Sequence, residues 1–314
     1  MKPIVYAVRA LPGGVPPEVA TRAEVRGGES RPTPREKVHA EGKDAEVLVV
    51  TYLDRVDDAL LDGLPAVRQV SSYGVGVNHL DLAALGRRGI VVTNTPDVVT
   101  DATADLAMAL LLAAARRVCE GDRLIRAGGW RDAAPEFLLG REVTGKTLGI
   151  VGFGRIGQAV ARRAAGFGMR ILYASPRDAR FPGAERADLD DLLAASDFVS
   201  LHCPLTDATR DLLSRERIAR MKPGAVLVNT SRGPVVDEEA VAEALEEGRL
   251  FAAGLDVFRD EPRVPERLRR AGNAVLTPHV GSGTLETRTA MARMVWEEVL
   301  RRLTGRPPAH RVVV

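Results

Sequence analysis

Residues 147–157 read Thr-Leu-Gly-Ile-Val-Gly-Phe-Gly-Arg-Ile-Gly. This is a short apolar run that turns through three spaced glycines into a helical stretch, Gln158 to Ala165. A second apolar run, Arg170 to Tyr173, completes a strand–helix–strand unit. The pattern G-x-G-x-x-G is weak alone, but a strand before it and a helix after it predict the dinucleotide turn of a parallel α/β sheet. Gly152 permits the tight turn, Gly154 lets the backbone approach a pyrophosphate, and Gly157 lets helix pack on strand. The helix N-terminus offers N–H groups and partial positive charge to the phosphates. Arg155 and Ile156, inside the motif, join the glycines as cofactor-binding candidates.

Downstream, three segments recur at intervals: Thr230-Ser231-Arg232-Gly233, Asp256 to Pro262 (Asp-Val-Phe-Arg-Asp-Glu-Pro), and Thr277-Pro278-His279-Val280-Gly281-Ser282. Each follows a Val, Leu or Ala-rich run, namely Ala225 to Asn229, Leu250 to Leu255 and Ala274 to Leu276. Such runs read as buried parallel strands. Arg232, Glu261 and His279 then emerge at one carboxyl edge, where open α/β sheets bind ligands. A guanidinium that forks a carboxylate, with a carboxylate and an imidazole, makes a hydride-transfer site for an oxo-acid.

The residues after Tyr173 choose between nicotinamide nucleotides. An NAD site carries Asp or Glu there for the ribose hydroxyls. Here Ser175 takes that place, followed by Pro176 and Arg177, with Arg180 in reserve. Serine and arginine suit a 2′-phosphate that a carboxylate would repel. NADP(H) is therefore favoured, with NAD(H) the alternative.

With these residues in place, the chain resembles the D-2-hydroxyacid dehydrogenase family, and within it the glyoxylate/hydroxypyruvate reductase branch. The resemblance rests on Val75-Gly76-Val77, Thr95 to Asp101, the glycine motif, His202-Cys203-Pro204-Leu205-Thr206 and the three C-terminal segments. It implies His279 as acid/base, Glu261 as its partner and Arg232 as the substrate clamp. It also implies that the amides of Val75 and Gly76 hold the substrate carboxylate, with Ser282 close by, and that Asp256 orients the nicotinamide carboxamide. Thr103, Cys203, Pro204, Thr209, Thr230, Ser231, Arg232, His279 and Gly281 are implied cofactor contacts. Two positions depart from the pattern: Asn78 stands where Asp is common, and Ala133 where a second aromatic often follows Trp130.

Among five histidines, only His279 combines a strand end, a Gly-Ser-Gly turn and a candidate carboxylate. His39 and His310 read as surface groups, His79 as a helix-start residue and His202 as a strand end whose backbone matters more than its ring. No His/Cys cluster has metal-ligand spacing, so no metal is expected.

A chain of 314 residues suffices for two domains. The expected fold is α/β, two Rossmann/flavodoxin-like doubly wound parallel sheets with a cleft between them. Residues 1–95 plus 286–314 form a discontinuous substrate domain, with strands Ile4 to Val8, Val47 to Val50, Val67 to Ser71 and Ile90 to Thr93. Residues 96–285 form the dinucleotide domain. One long helix runs from Thr100 or Asp101 to about Arg126; the resemblance implies that this helix and the loop to Glu142 form a homodimer segment at about 101–142, the alternative being an interdomain linker helix. The helix Leu285 to Leu303 should return to the first domain.

A net charge of +2, from 44 basic and 42 acidic residues, argues against a nucleic-acid partner. The most apolar stretch, Leu106 to Ala115, is far shorter than the ~20 residues of a membrane span. Cys119 and Cys203 make no disulfide framework and suit a reducing cytoplasm. The expected activity is reduction of a small 2-oxo acid. D-lactate, 3-phosphoglycerate or phosphite dehydrogenation remain alternatives, the phosphorylated one pointing only to Arg9. A nucleotide-sensing corepressor-like protein is the non-enzymatic reading.

Overall fold

The computed structural model describes residues 2–179 and 181–313, so Arg180 lies outside the described residues. The chain divides into two compact units, Met1–Val99 with Ser282–Val314, and Thr100–Gly281. The sequence predicts these limits at 95/96 and 285/286. Thr95 N–H donates to Gly74 O at 3.1 Å, which keeps the crossover with the first sheet.

The first unit runs β1 (Ile4–Arg9), α1 (Pro17–Arg22), β2 (Glu24–Glu29), α2 (Arg35–Gly42), β3 (Val47–Thr51), α3 (Asp58–Asp62), β4 (Gln69–Tyr73), α4 (Leu82–Arg87) and β5 (Val91–Thr93). Its five strands are all parallel in the order β2-β1-β3-β4-β5, a flavodoxin-like arrangement. Alternate residues face opposite sides of the sheet. Tyr6, Val8, Leu48 and Val50 therefore pack with Leu60, Leu61 and Leu85. Val5, Ala7, Val47 and Val49 pack against Ala292, Val295, Trp296 and Val299 of the C-terminal helix, Leu285–Leu303. That helix returns to the first unit as expected, and Tyr73 OH donates to Arg288 O at 3.0 Å.

The second unit begins with α5 (Thr100–Ala115) and α6 (Val118–Arg126), then β6 (Thr147–Val151), α7 (Arg155–Ala165), β7 (Arg170–Ala174), β8 (Ala184–Arg186), α8 (Leu189–Ala195), β9 (Phe198–Leu201) and α9 (Arg215–Arg220). It continues with β10 (Ala225–Asn229), α10 (Glu238–Glu246), β11 (Leu250–Leu255), α11 (Glu266–Arg270) and β12 (Ala274–Leu276); the Leu285–Leu303 helix is α12. Seven parallel strands lie in the order β12-β11-β10-β9-β6-β7-β8, so strand order reverses between β6 and β9. Ligands bind beyond the carboxyl ends of strands at such a switch point. Both faces of this sheet are buried: Ala225 and Leu227 face one cluster, Val226 and Val228 the other.

Three expectations need correction. The single helix to Arg126 is two helices, because Arg117 takes a left-handed φ of 53° and its guanidinium pairs with Glu120 at 2.6 Å. The edge strands β2 and β8 are additional; their sequences, EVRGGE and AER, have little apolar content to announce a strand. The helix after the glycine motif starts at Arg155 rather than Gln158, so Gly157 lies inside its first turn. α6 buries none of its residues. Val118, Ile125, Trp130, Phe137 and Leu139 are all exposed between 118 and 139. No helix among the described residues is long and apolar enough to cross a membrane.

α5 crosses β11 at Gly254, where an added Cβ would lie 2.8 Å from Leu110 Cβ. Gly254→Ala should therefore destabilise the second unit by about 1–3 kcal/mol through overpacking. Urea denaturation checks this, and an unchanged midpoint would mean that α5 yields at this crossing.

Candidate active site

The glycine turn fits a dinucleotide for steric reasons visible at each position. Gly152 has φ 90°, and a Cβ there would collide with the Cys203 backbone. The β6 and β9 exits thus meet at the switch point. A Cβ on Gly157 would collide with Gly152 O, whereas one on Gly154 would meet nothing within 4 Å. Space is therefore left open at the one glycine where backbone must approach phosphate. Phe153 stacks on Tyr173 with ring centroids 4.2 Å apart, and Tyr173 OH donates to Asp178 at 2.7 Å. The first carboxylate after β7 is thereby engaged. Ser175 follows β7, its carbonyl accepting from Arg186 at 3.1 Å, and Pro176 and Arg177 are exposed.

The exits of β10, β11 and β12 are stitched together by backbone hydrogen bonds. Asp256 N–H donates to Asn229 O at 3.0 Å, Thr277 N–H to Leu255 O at 2.9 Å and His279 N–H to Asp256 O at 2.8 Å. Gly233 presses on the Phe258–Arg259 backbone so closely that a Cβ would overlap it. This packing brings the loops of Arg232 and Glu261 into one place. His279 Nδ1 and Glu261 Oε2 are 2.8 Å apart, and Phe258 N–H donates to Glu261 Oε1 at 3.0 Å. Glu261 therefore uses both oxygens, one on its own loop and one on the imidazole.

Burial alone would raise the Glu261 carboxyl. The hydrogen bond and charge of His279, the Phe258 N–H and the charge of Arg232 outweigh it and hold the group below its ordinary value. His279 sits at a left-handed φ of 51°, a conformation costly for a residue with a Cβ. Asp256 holds that turn. Its carboxylate accepts from Thr277 Oγ1 at 2.6 Å, Val280 N at 2.8 Å and Gly281 N at 2.8 Å.

Other expected contacts are placed as follows. Thr103 lies buried in α5, its side chain 3.5 Å from where a Gly281 Cβ would be. His202 bridges Ser200 Oγ at 2.8 Å and Thr230 Oγ1 at 3.4 Å, so its ring is engaged as well as its backbone. Burial holds its pKa down to about 3, which makes it a neutral spacer rather than an acid. Burial pushes the Cys203 thiol up to about 11. Thr209 Oγ1 donates to Pro204 O at 2.6 Å and closes the Pro204–Thr209 turn on itself. Arg232 donates to Ser231 O at 2.6 Å.

In the first unit, Val75 and Gly76 lie in the turn after β4, and Asn94 Nδ2 donates to Val75 O at 2.8 Å. His79 is not the helix-start residue. Asp81 caps α4 through Ala84 N at 2.9 Å, while the His79 ring meets Ser72 Oγ at 3.1 Å. Arg9 is committed to Asp54 at 3.0 Å. Ser282 opens the return segment of this unit.

Three supporting residues have no motif to reveal them in the sequence. Asn229 accepts from Ser231 N and Oγ at 3.0 and 2.8 Å and donates to Arg232 O at 3.0 Å, shaping the Arg232 loop. Glu238, buried, accepts from Arg259 N–H beside Glu261. Asn94 is the third. An Asn directly ending a strand before Thr-Ser-Arg-Gly is the one available signal.

Residues 108–281 match the family model for the D-isomer specific 2-hydroxyacid dehydrogenase NAD-binding domain. The chain is 47% identical over 317 residues to a glyoxylate reductase of Pyrococcus furiosus, covering 98% of this chain and 94% of that one. The crystal structure of the TT0316 protein from Thermus thermophilus superposes with a TM-score of 0.94 at 46% identity, covering 99% and 100% of the two chains. An NADPH-dependent glyoxylate/hydroxypyruvate reductase from Sinorhizobium meliloti, solved with NADP and malonate, gives 0.86 at 32% identity, covering 100% and 97%.

Because the Glu261 carboxyl is depressed in the folded chain, its ionised form stabilises the fold above the ordinary value of 4.5. That contribution disappears as pH falls through the lower, folded-state pKa. Glu261→Gln lacks this dependence, so its melting temperature should fall less steeply than wild type below about pH 4.5. Parallel slopes in thermal melts across that range would remove the linkage.

Proposed function

Because the chain belongs to the D-isomer specific 2-hydroxyacid dehydrogenase family, we propose that it reduces glyoxylate and hydroxypyruvate, with NADPH preferred. It is an oxidoreductase that reduces small 2-oxo acids with a nicotinamide cofactor. The observation that carries the catalytic assignment is the 2.8 Å hydrogen bond between His279 Nδ1 and Glu261 Oε2. The identity to glyoxylate reductases supports the substrate choice.

When bound, the nicotinamide supplies a hydride for the α-carbon of the 2-oxo acid. Gly152, Gly154, Arg155, Ile156 and Gly157 would hold its pyrophosphate at the α7 N-terminus. As negative charge builds on the carbonyl oxygen, protonated His279 donates to it, a contribution of about 10²–10⁴-fold. Glu261 fixes the ring through Nδ1. Arg232 binds and polarises the substrate. The amides of Val75 and Gly76 take the substrate carboxylate, with Ser282 nearby. Asp256 keeps the His279 turn in shape.

Ser175 and Arg177 support NADPH, the serine leaving room for a 2′-phosphate and the exposed arginine a charge to pair with it. A phosphorylated substrate fits less well, since Arg9 is already paired with Asp54. The exposed apolar side chains of α6 and the following loop, with Trp130 at 59% exposure, are the kind of surface that a partner covers. They support a homodimer through this segment. Cys119 and Cys203 are free thiols, as suits a protein of the reducing cytoplasm.

His279→Ala should lower kcat by about 10²-fold or more with NADPH affinity nearly unchanged. Steady-state turnover of glyoxylate and hydroxypyruvate checks this, and near-wild-type turnover would reject His279 as the acid. Arg177→Ala should weaken NADPH binding far more than NADH binding in fluorescence titrations. Equal losses would make Arg177 a bystander.

A further inference from the structure

Glu298 on α12 is 1% exposed and lies in the first unit, outside the His279 site. Its carboxylate accepts from the backbone of the C-terminal tail, Ala309 N at 3.0 Å and His310 N at 3.1 Å through Oε1. A carboxylate hidden from water is costly unless donors meet it, and here the donors are two consecutive tail amides. The tail then runs along β5, the edge of the first sheet. Asn94 N–H donates to His310 O at 3.3 Å, Arg311 bridges antiparallel to Thr93, and Val312 N–H donates to Val92 O at 2.8 Å. The tail is thus a short extra strand on an otherwise open edge.

What that strand fixes is Asn94, and Asn94 reaches the substrate loop. Its Nδ2 donates to Val75 O at 2.8 Å, while Thr95 N–H donates to Gly74 O at 3.1 Å. A trans peptide is planar, so its C=O and N–H point in opposite directions. The carbonyl of Val75 and the N–H of Gly76 belong to one peptide, and the carbonyl of Gly74 and the N–H of Val75 to the one before it. Holding the two carbonyls from behind therefore aims the two N–H groups forward. A hydrogen bond on the carbonyl also polarises the peptide and makes its N–H a stronger donor. These are the two amides assigned above to the substrate carboxylate.

We infer that Glu298 is a positioning residue for substrate binding, acting through the 309–312 tail strand and Asn94 to orient the amides of Val75 and Gly76. The inference rests on the substrate assignment made above. The carboxylate is a part of the substrate that does not react, so loosening its donors weakens ground state and transition state alike and should appear in KM rather than kcat.

The test uses full-length wild type, Glu298→Ala, Glu298→Gln, Asn94→Ala and a chain ending at Pro308. KM for glyoxylate should rise about tenfold in Glu298→Ala and in the shortened chain, with kcat changed less than about twofold. NADPH affinity should be unchanged. Glu298→Gln keeps an acceptor oxygen and should recover most of the loss. Combining Glu298→Ala with Asn94→Ala should raise KM little beyond the larger single effect, because both act on one route. Amide hydrogen exchange at Val75 and Gly76 should quicken about tenfold in Glu298→Ala. Unchanged exchange there, or additive KM effects, would overturn the positioning role. If wild type reduces neither acid, the substrate reading fails instead, and exchange at Val75 and Gly76 still decides whether Glu298 orients the loop. Should Glu298→Ala not fold, the chain ending at Pro308 gives the same readouts.

Discussion

The buried carboxylate of Asp256 is the interaction on which the loops at the carboxyl edge of the second unit depend. It sits at the end of β11 and is 1% exposed. Burial pushes its pKa up against the pull of Thr277, Val280, His279 and Gly281. A turn that puts a histidine at a left-handed φ does not hold itself. Three donors on the Asp256 carboxylate, with the His279 N–H on its carbonyl, over-determine the backbone there. The imidazole then meets Glu261 through Nδ1. Glu261 is fixed by its own loop in the same way. His279 and Glu261 are placed by backbone geometry that exists before any ligand arrives, and preorganisation of this kind would serve the acid and partner roles proposed for them.

The site was legible in the sequence wherever a steric or periodic rule bears on single residues. The glycines of 152–157 announce themselves because a Cβ would collide at Gly152 and Gly157, while Gly154 leaves the backbone open to a phosphate. The strands ending at Asn229, Leu255 and Leu276 announce themselves because a strand buried on both faces is apolar throughout. What escaped depends on partners far along the chain. Glu298 and Ala309, Glu238 and Arg259, and Asn94 and Val75 are ordinary polar residues until the fold joins them. The edge strands escaped because β2 is solvated and glycine-containing. The break at Arg117 has no glycine or proline to signal it, and the left-handed arginine is a product of its Glu120 pairing and the surrounding chain.

The surface explains the preference for arginine over lysine, which occurs at only five positions. Arg163 joins Asp101 and Asp105, tying α7 to α5. Arg88 joins Asp58 and Asp62, and Arg267 joins Glu239 and Glu246. A single exposed pair is worth about 0–1 kcal/mol. A fork that holds two acids at once gives up less side-chain entropy per bond, which a lysine ammonium does not match. Arginine therefore fits a surface in which one cation links two elements.

The first unit is assembled from both ends of the chain, and this fixes an order of events. One face of its sheet is covered by Ala292, Val295, Trp296 and Val299, which leave the ribosome only after residues 100–281. Until then Val5, Ala7, Val47 and Val49 have little apolar cover on that side beyond Leu11, Val19 and Ala23. By the time those residues appear, the continuous stretch Thr100–Gly281 has been available to fold as a unit of its own. During synthesis the N-terminal strands are thus the half-finished part, with an apolar face that waits for the whole nucleotide fold to be made. A chaperone that shields exposed sheet has its natural client in the beginning of this protein rather than in the nucleotide fold at its centre.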